Sequence, residues 1–381
     1  MKRILAAVLS LVLLLGCVSF ASAEETTIRI VWWGSQNRHD VTVAAVHKFM
    51  EKNPDIKVEV EYSDWGGYWS KLATQAAGNV LPDVIQMDYS QLASYAQNGI
   101  LTDLSSYFES GALDISHVAD SVIESGEIKG VPYALSCGTN ALVMMYRPDV
   151  LEAAGITMPE EITAEEYAEL CKKVYDATGK TGLSLAAASF DFVRNIARCY
   201  GGDLYNDEGT ALGFDNPEYL VRLWQGSIDA EEAGWQLPVG ETTAATRPST
   251  YFKPSMFWSV AESSENKDAA VKLIDFLTND PECFDIVGTD RAMPISSVIR
   301  EYLAPKLDEN SQEVSAILDY LGQEGKTSKI MNPDLACHSD VQTLYTEYYE
   351  MVQYRLVDDL TAHAQAFIDE ANAIITRSLE K

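Results

Sequence analysis

Basic residues are scarce in this chain. Its 381 residues hold 28 Lys and Arg against 57 Asp and Glu, a formal net charge of -29. A surface of that sign repels nucleic acid and anionic lipid head groups, which argues against both as partners. A solvated acidic surface is all that the charge itself requires. Histidine is sparse as well: the five in the chain are scattered, none at ligand spacing with a cysteine. With no CxxC present, no metal centre is expected, and no cofactor is called for. The catalytic and nucleotide signatures GxGxxG, HExxH and GxSxG are missing. Thr178-Gly179-Lys180-Thr181 is the right half of a phosphate loop without its leading glycine. Asp203 to Gly209 lacks the ligand spacing of a calcium loop and reads as a hairpin turn. Besides Cys17, the cysteines at 137, 171, 199, 283 and 337 are odd in number and widely spaced, so free buried thiols are expected for most. There is no internal repeat and no low-complexity tract.

What is present begins with an export leader. Lys2 and Arg3 precede an apolar run from Ile4 to Gly16, too short to span a bilayer. Two processing patterns compete. Leu14-Leu15-Gly16-Cys17 resembles a lipobox, whose cysteine is lipidated, and this reading is preferred. Ala21-Ser22-Ala23 fits ordinary secretory cleavage. Residues 1–23 are therefore expected to be a signal peptide. The mature chain is expected outside the cytoplasm, periplasmic or at the cell surface, touching the membrane only through a lipid anchor. No later segment is long and apolar enough to cross a membrane. A hydrophobic content of 47% over this length supports two domains with sizeable cores.

The first hundred residues alternate strand and helix. Thr27 to Val31 is a β-run, and Asp40 to Glu51 carries a helical face of Val43, Val46, His47 and Met50 stopped by Asn53-Pro54. Ile56 to Tyr62 is a second strand, Tyr68 to Ala77 a helix, and Pro82 to Met87 a buried strand. Such alternation predicts an α/β fold with a mostly parallel sheet. Strands are also read at Lys129–Leu135, Ala141–Tyr146 and Lys253–Val260. Helices are read over Pro148–Tyr200 (with a capping box at Thr163), Lys267–Leu277, Tyr345–Leu356 and Leu360–Leu379.

Aromatic and polar residues recur just after the early strands: Trp32-Trp33-Gly34-Ser35-Gln36, then Asp64-Trp65-Gly66-Gly67-Tyr68-Trp69, then Asp88-Tyr89. Ligands bind outside the carboxyl ends of strands in open α/β sheets. At least one of Trp33 and Trp65 is expected to face a ligand there, while Trp32 packs beneath the sheet.

Ordered pieces of the sequence resemble extracellular solute-binding proteins of family 1, the sugar receptors of ABC importers. They are Val31-Trp32-Trp33-Gly34-Ser35, the stretch Lys48 to Val58 (KFMEKNPDIKV), Leu81 to Asp88 (LPDVIQMD), Gly130-Val131-Pro132-Tyr133, Gly201-Gly202 and Ser264 to Ala270. The resemblance covers nearly the whole mature chain. It implies a two-lobed periplasmic-binding-protein-like fold of type II, with a ligand held between hinge-connected lobes. The expected crossings lie near Ser136–Asn140 and Met256–Ala261, with a third after Pro294. Residues 24–138 and 258–312 would form lobe 1, and 139–257 and 313–381 lobe 2. The implied function is capture of a carbohydrate and its delivery to an ABC permease by hinge closure, as a monomer and without catalysis.

Carried over by position, the ligand-binding residues would be Trp33, Gln36, Arg38, Asp64, Trp65, Asp88, Asn140 and Trp258. Arg38 pairing with a surface carboxylate and Trp258 as hinge packing stand beside that reading. Between Trp224 and Tyr251 the chain is shorter than the family pattern, so lobe 2 is expected to lack part of its wall around 225–250. Two other readings stay open: a secreted glycan-active enzyme using carboxylates such as Asp64 and Asp88, and a surface sensor or adhesin on the same fold.

Overall fold

The computed structural model describes residues 25–141, 148–159, 164–179, 190–233, 252–321 and 334–380. The leader with Cys17, Leu142–Tyr146, Thr163 and residues 234–251 lie outside them.

The N-terminal alternation is built as expected. β1 (Thr26–Trp33), α1 (Gln36–Lys52), β2 (Ile56–Ser63), α2 (Trp65–Ala77), β3 (Val84–Met87) and α3 (Tyr89–Gln97) follow in order. β1 pairs in parallel with both β2 and β3. The stretch 129–135, expected as one strand, is broken. β4 (Glu127–Ile128) and β5 (Val131–Pro132) form a small antiparallel hairpin. It turns at Lys129 and Gly130, both at positive φ (55° and 77°), the backbone of a primed hairpin turn. β6 (Leu135–Ser136) then joins the main sheet, and β7 (Thr139–Ala141) leaves it. The stretch 253–260 also divides, into β8 (Phe252–Pro254), paired with β7, and β9 (Phe257–Val260). β9 lies antiparallel between β3 and β6, completing the order β2-β1-β3-β9-β6. The helix expected to reach Leu356 instead runs His338–Gln353, because Arg355 takes φ 58°.

Both faces of the main sheet are covered, which explains the adjacent tryptophans. Successive strand residues point to opposite faces. Ile28, Ile30 and Trp32 therefore enter one core, with Ala45, Val46 and Phe49 of α1 and Val271, Leu273 and Ile274 of the helix Lys267–Asn279. Val31 and Trp33 enter the other, with Tyr68 and Leu72 of α2 and Leu92 and Ala96 of α3.

A separate core joins the helices Phe190–Cys199, Glu218–Ala233, His338–Gln353 and Leu360–Leu379. At its centre the buried Trp224 donates its indole N–H to the Tyr345 hydroxyl at 3.2 Å. One side of this core holds a buried ionic cluster. Asp203 accepts from Arg198 and lies 3.8 Å from Arg194, which also pairs with Asp334. The expected turn after Gly202 is closed by a Tyr205–Leu212 bridge. Among the described residues no helix is long and apolar enough to cross a membrane.

Candidate functional site

The carboxyl ends of β1, β2 and β3 open onto one edge of the sheet, and each is followed at once by a helix. The three N-caps are the residues that such positions favour. Ser35 Oγ accepts from the Arg38 amide at 3.4 Å, Asp64 Oδ1 from the Gly67 amide at 2.8 Å, and Asp88 Oδ1 from the Ser90 amide at 2.9 Å. Three positive helix ends thus converge at this edge.

Above them stands Trp65, the first residue of α2, with 49% of its surface exposed. Its indole rests edge-on against Trp33 at 5.1 Å and against Trp69 at 5.5 Å. Trp33 is 8% exposed and also meets Tyr68 edge-on at 5.0 Å. The two tryptophans read from the sequence therefore divide the work: Trp33 is the floor and Trp65 the exposed shelf. Gln36, exposed, donates to Asp40 at 2.8 Å. Asp64 and Asp88 lie at the same edge, each using carboxylate lone pairs to cap its helix.

Arg38 does pair with a carboxylate, but not a local one. Its Nε donates to Asp290 Oδ2 at 2.8 Å and its Nη2 to the Asp290 carbonyl at 2.9 Å, while Asn37 Nδ2 donates to Asp290 Oδ1 at 3.0 Å. Gly34 makes room for this: a Cβ there would stand 2.5 Å from Arg38 Cδ.

The other two predicted residues lie on β7 and β9. Asn140 is exposed in β7, in register with Lys253 of β8. Trp258, 2% exposed, belongs to the core face of β9, with the Arg291 guanidinium 5.1 Å over its ring. Sequence reasoning missed Asn37, Gln86, Asp290 and Arg291. Gln86 was the legible one, a polar residue inside an apolar four-residue strand. It is fully buried, with Nε2 3.4 Å from the Trp33 carbonyl and Oε1 accepting from Arg291 Nε at 3.2 Å.

The first turn of α1 holds a titratable group against this edge. His39 Nδ1 accepts the Trp32 indole N–H at 3.1 Å, and Tyr62 stacks on its ring at 4.2 Å. Burial lowers the His39 pKa, Asp40 opposes this, and Arg291 and Arg38 reinforce it. The folded state thus favours neutral imidazole, while the unfolded chain takes up its proton near pH 6.5. The stability His39 contributes is present above that pH and is lost as pH falls below it. Urea midpoints at pH 7.5 and 5.5 should therefore drop less in His39→Gln than in the wild type. An equal drop in both would count against this assignment.

The second core reaches this edge through the N-terminus of the helix His338–Gln353. Gln91 Nε2, in the first turn of α3, donates to Ser339 Oγ at 3.2 Å. The edge that carries the shelf is thus where α3 meets the helical core.

The comparisons agree with this geometry. The chain belongs to the bacterial extracellular solute-binding proteins: the sequence model of that family matches residues 37–235, a little over half of the chain. That family places it outside the cytoplasm. A maltotriose-binding protein of Pyrococcus abyssi is 22% identical, over 85% of this chain and 81% of that one. Among solved structures, a periplasmic solute-binding protein of Pectobacterium atrosepticum superposes with a TM-score of 0.76 at 21% identity, covering 93% of this chain and 99% of that one. A periplasmic oligogalacturonide-binding protein of Yersinia enterocolitica, in complex with saturated digalacturonic acid, gives 0.76 at 19% identity over 93% and 100%. The fold is that of the type II periplasmic binding proteins.

Proposed function

We propose that this chain captures a sugar or oligosaccharide between two lobes and passes it to an ABC permease when the lobes close. The observation that carries the reading is Trp65, a half-exposed indole resting on Trp33 and Trp69 at the sheet edge where Gln36, Asp64, Asp88 and three helix N-termini also lie. An aromatic face stacks on the apolar face of a pyranose, and the polar groups receive its hydroxyls. The names of the relatives, which bind maltotriose, diacetylchitobiose and oligogalacturonide, support the same ligand class. The lobes we propose are 24–138 with 258–312 and 139–257 with 313–381. The separation of the third core from the other two supports that division.

In this reading the protein is a monomeric receptor and not an enzyme, held at the membrane by lipid on Cys17. Asp64 and Asp88 serve as caps, which favours binding over glycosidase chemistry. A thermal-shift screen of the mature chain against mono- and oligosaccharides tests the proposal. A ligand bound by the folded state alone raises stability by about 2.7 kcal/mol at a hundredfold excess over its Kd. Trp65→Ala should weaken the responding sugar by about tenfold, since truncating an aromatic anchor of a binding site costs on the order of 1–2 kcal/mol. It should lower the melting midpoint of the free protein less than Trp33→Ala does, as half of the ring is exposed. No response to any glycan, or an unaltered Kd in the variant, would sink the shelf as the sugar site.

A further inference from the structure

We infer that the cavity beside Arg291 is a binding site for a small monovalent anion of halide size. The cavity measures about 20 Å³ and is lined by Cys137, Trp258, Phe284, Val287, Arg291 and Ala292, among others. That is room for one water-sized group. Arg291 Nε is spent on Gln86 Oε1, but Nη2 is buried and meets no hydrogen-bond acceptor among the described residues.

Charge decides between a water and an ion. Two guanidiniums, Arg38 and Arg291, stand close together, and the carboxylate acting on them is Asp290. Both Asp290 oxygens are taken, one by Arg38 Nε and one by Asn37 Nδ2. The neighbouring thiols offer no negative charge: burial pushes Cys137 and Cys283 up to about 12, so both stay protonated at neutral pH. Arg291, lowered by burial to about 10, stays cationic there. One carboxylate shared between two guanidiniums leaves a positive charge over, and a buried N–H of a cation without an acceptor is costly. A water in the cavity would satisfy the N–H but leave the charge, whereas a halide satisfies both. The remaining walls are apolar, which suits a weakly hydrated ion. The chain's overall charge of -29 works against anions only at long range, and salt screens it beyond roughly 8 Å at physiological ionic strength.

The test is carried out on the mature protein at constant ionic strength. The melting midpoint should rise and saturate as sodium methanesulfonate is replaced by sodium chloride or bromide. Arg291→Met should abolish the saturating part. Crystals of the wild type grown in bromide should show an anomalous peak within contact distance of Arg291 Nη2. That arm does not depend on the variant folding. A midpoint indifferent to the anion, a halide response that survives in Arg291→Met, or a bromide-grown crystal with no anomalous peak at Arg291 would each overturn the inference. The readouts involve no sugar, so failure here is distinct from failure of the receptor reading.

Discussion

Trp33→Ala is expected to destabilise the protein by roughly 3–5 kcal/mol, the usual cost of emptying a buried aromatic site. The indole is enclosed by Trp65, Tyr68 and Trp69 and shares its core with Tyr89, Leu92 and Phe257. Its backbone carbonyl also lies against Gln86. None of these groups collapses easily into the space: Tyr68 is held by a hydroxyl hydrogen bond of 2.6 Å to the Gln86 carbonyl, and Val31 and Met87 are fixed in the sheet. The melting midpoint should fall by about 6–20 °C, at roughly 2–4 °C per kcal/mol for a body of this size. Ligand binding should fail with it, because the floor under Trp65 is gone. Together the two tryptophan variants separate roles that neighbouring aromatics often blur: Trp65→Ala should lose affinity at a modest cost in stability, and Trp33→Ala should lose both heavily. Thermal melts and ligand titrations of the pair decide it. A Trp33→Ala protein melting within a degree or two of the wild type would show that the ring is not the support described here.

Asp203→Ala should be comparably severe in the second core. Its carboxylate serves Arg198 directly, lies 3.8 Å from Arg194, and accepts the Leu204 amide at 2.7 Å. Removing one member of a buried ionic cluster leaves the desolvation of the others uncompensated, typically costing about 3–5 kcal/mol. Asp229→Ala is the matched control, since among the described residues that carboxylate accepts a single exposed hydrogen bond, from Gln225 one turn earlier. Surface changes of that kind stay within about 0.5 kcal/mol. Far-UV circular dichroism in urea is the suitable probe because the second core is helical. A loss under 1 kcal/mol for Asp203→Ala would mean that the two arginines find other acceptors.

The parts of this molecule legible in the sequence are those whose causes are local. The β1–α1–β2–α2–β3 run announces itself through periodicity: Ile28, Ile30 and Trp32 alternate with Arg29, Val31 and Trp33, and Asn53-Pro54 stops a helical face. The caps Asp64 and Asp88 were visible as carboxylates placed after strands. That Trp33 and Trp65 end up at one edge of the sheet follows for the same reason, since Trp33 ends one strand of a parallel pair and Trp65 comes just after the other. The division between Trp33 and Trp65 could not, because it depends on α3 and the β4–β5 hairpin covering one face of the sheet. Arg38 shows the limit most sharply. Its partner Asp290 lies 252 residues away, in a turn carrying Ala292 at φ 102°. Nothing near either residue points to the other. The breaks in the 129–135 and 253–260 strands fall in the same class: a pairing partner decides where each short strand ends, and an apolar run cannot reveal its partner.

The placement of the indoles has a spectroscopic consequence. Trp32, Trp33, Trp65, Trp69 and Trp258 all sit on or against the main sheet, and Trp224 is the indole of the helical core among the described residues. Tryptophan emission is therefore weighted toward the sheet-bearing body, whereas far-UV ellipticity also follows the other. If the two bodies lose structure at different denaturant concentrations, the two signals will trace different curves. Their offset would measure how tightly the bodies are coupled, and on the proposed receptor function a sugar gripping both lobes should draw the curves together.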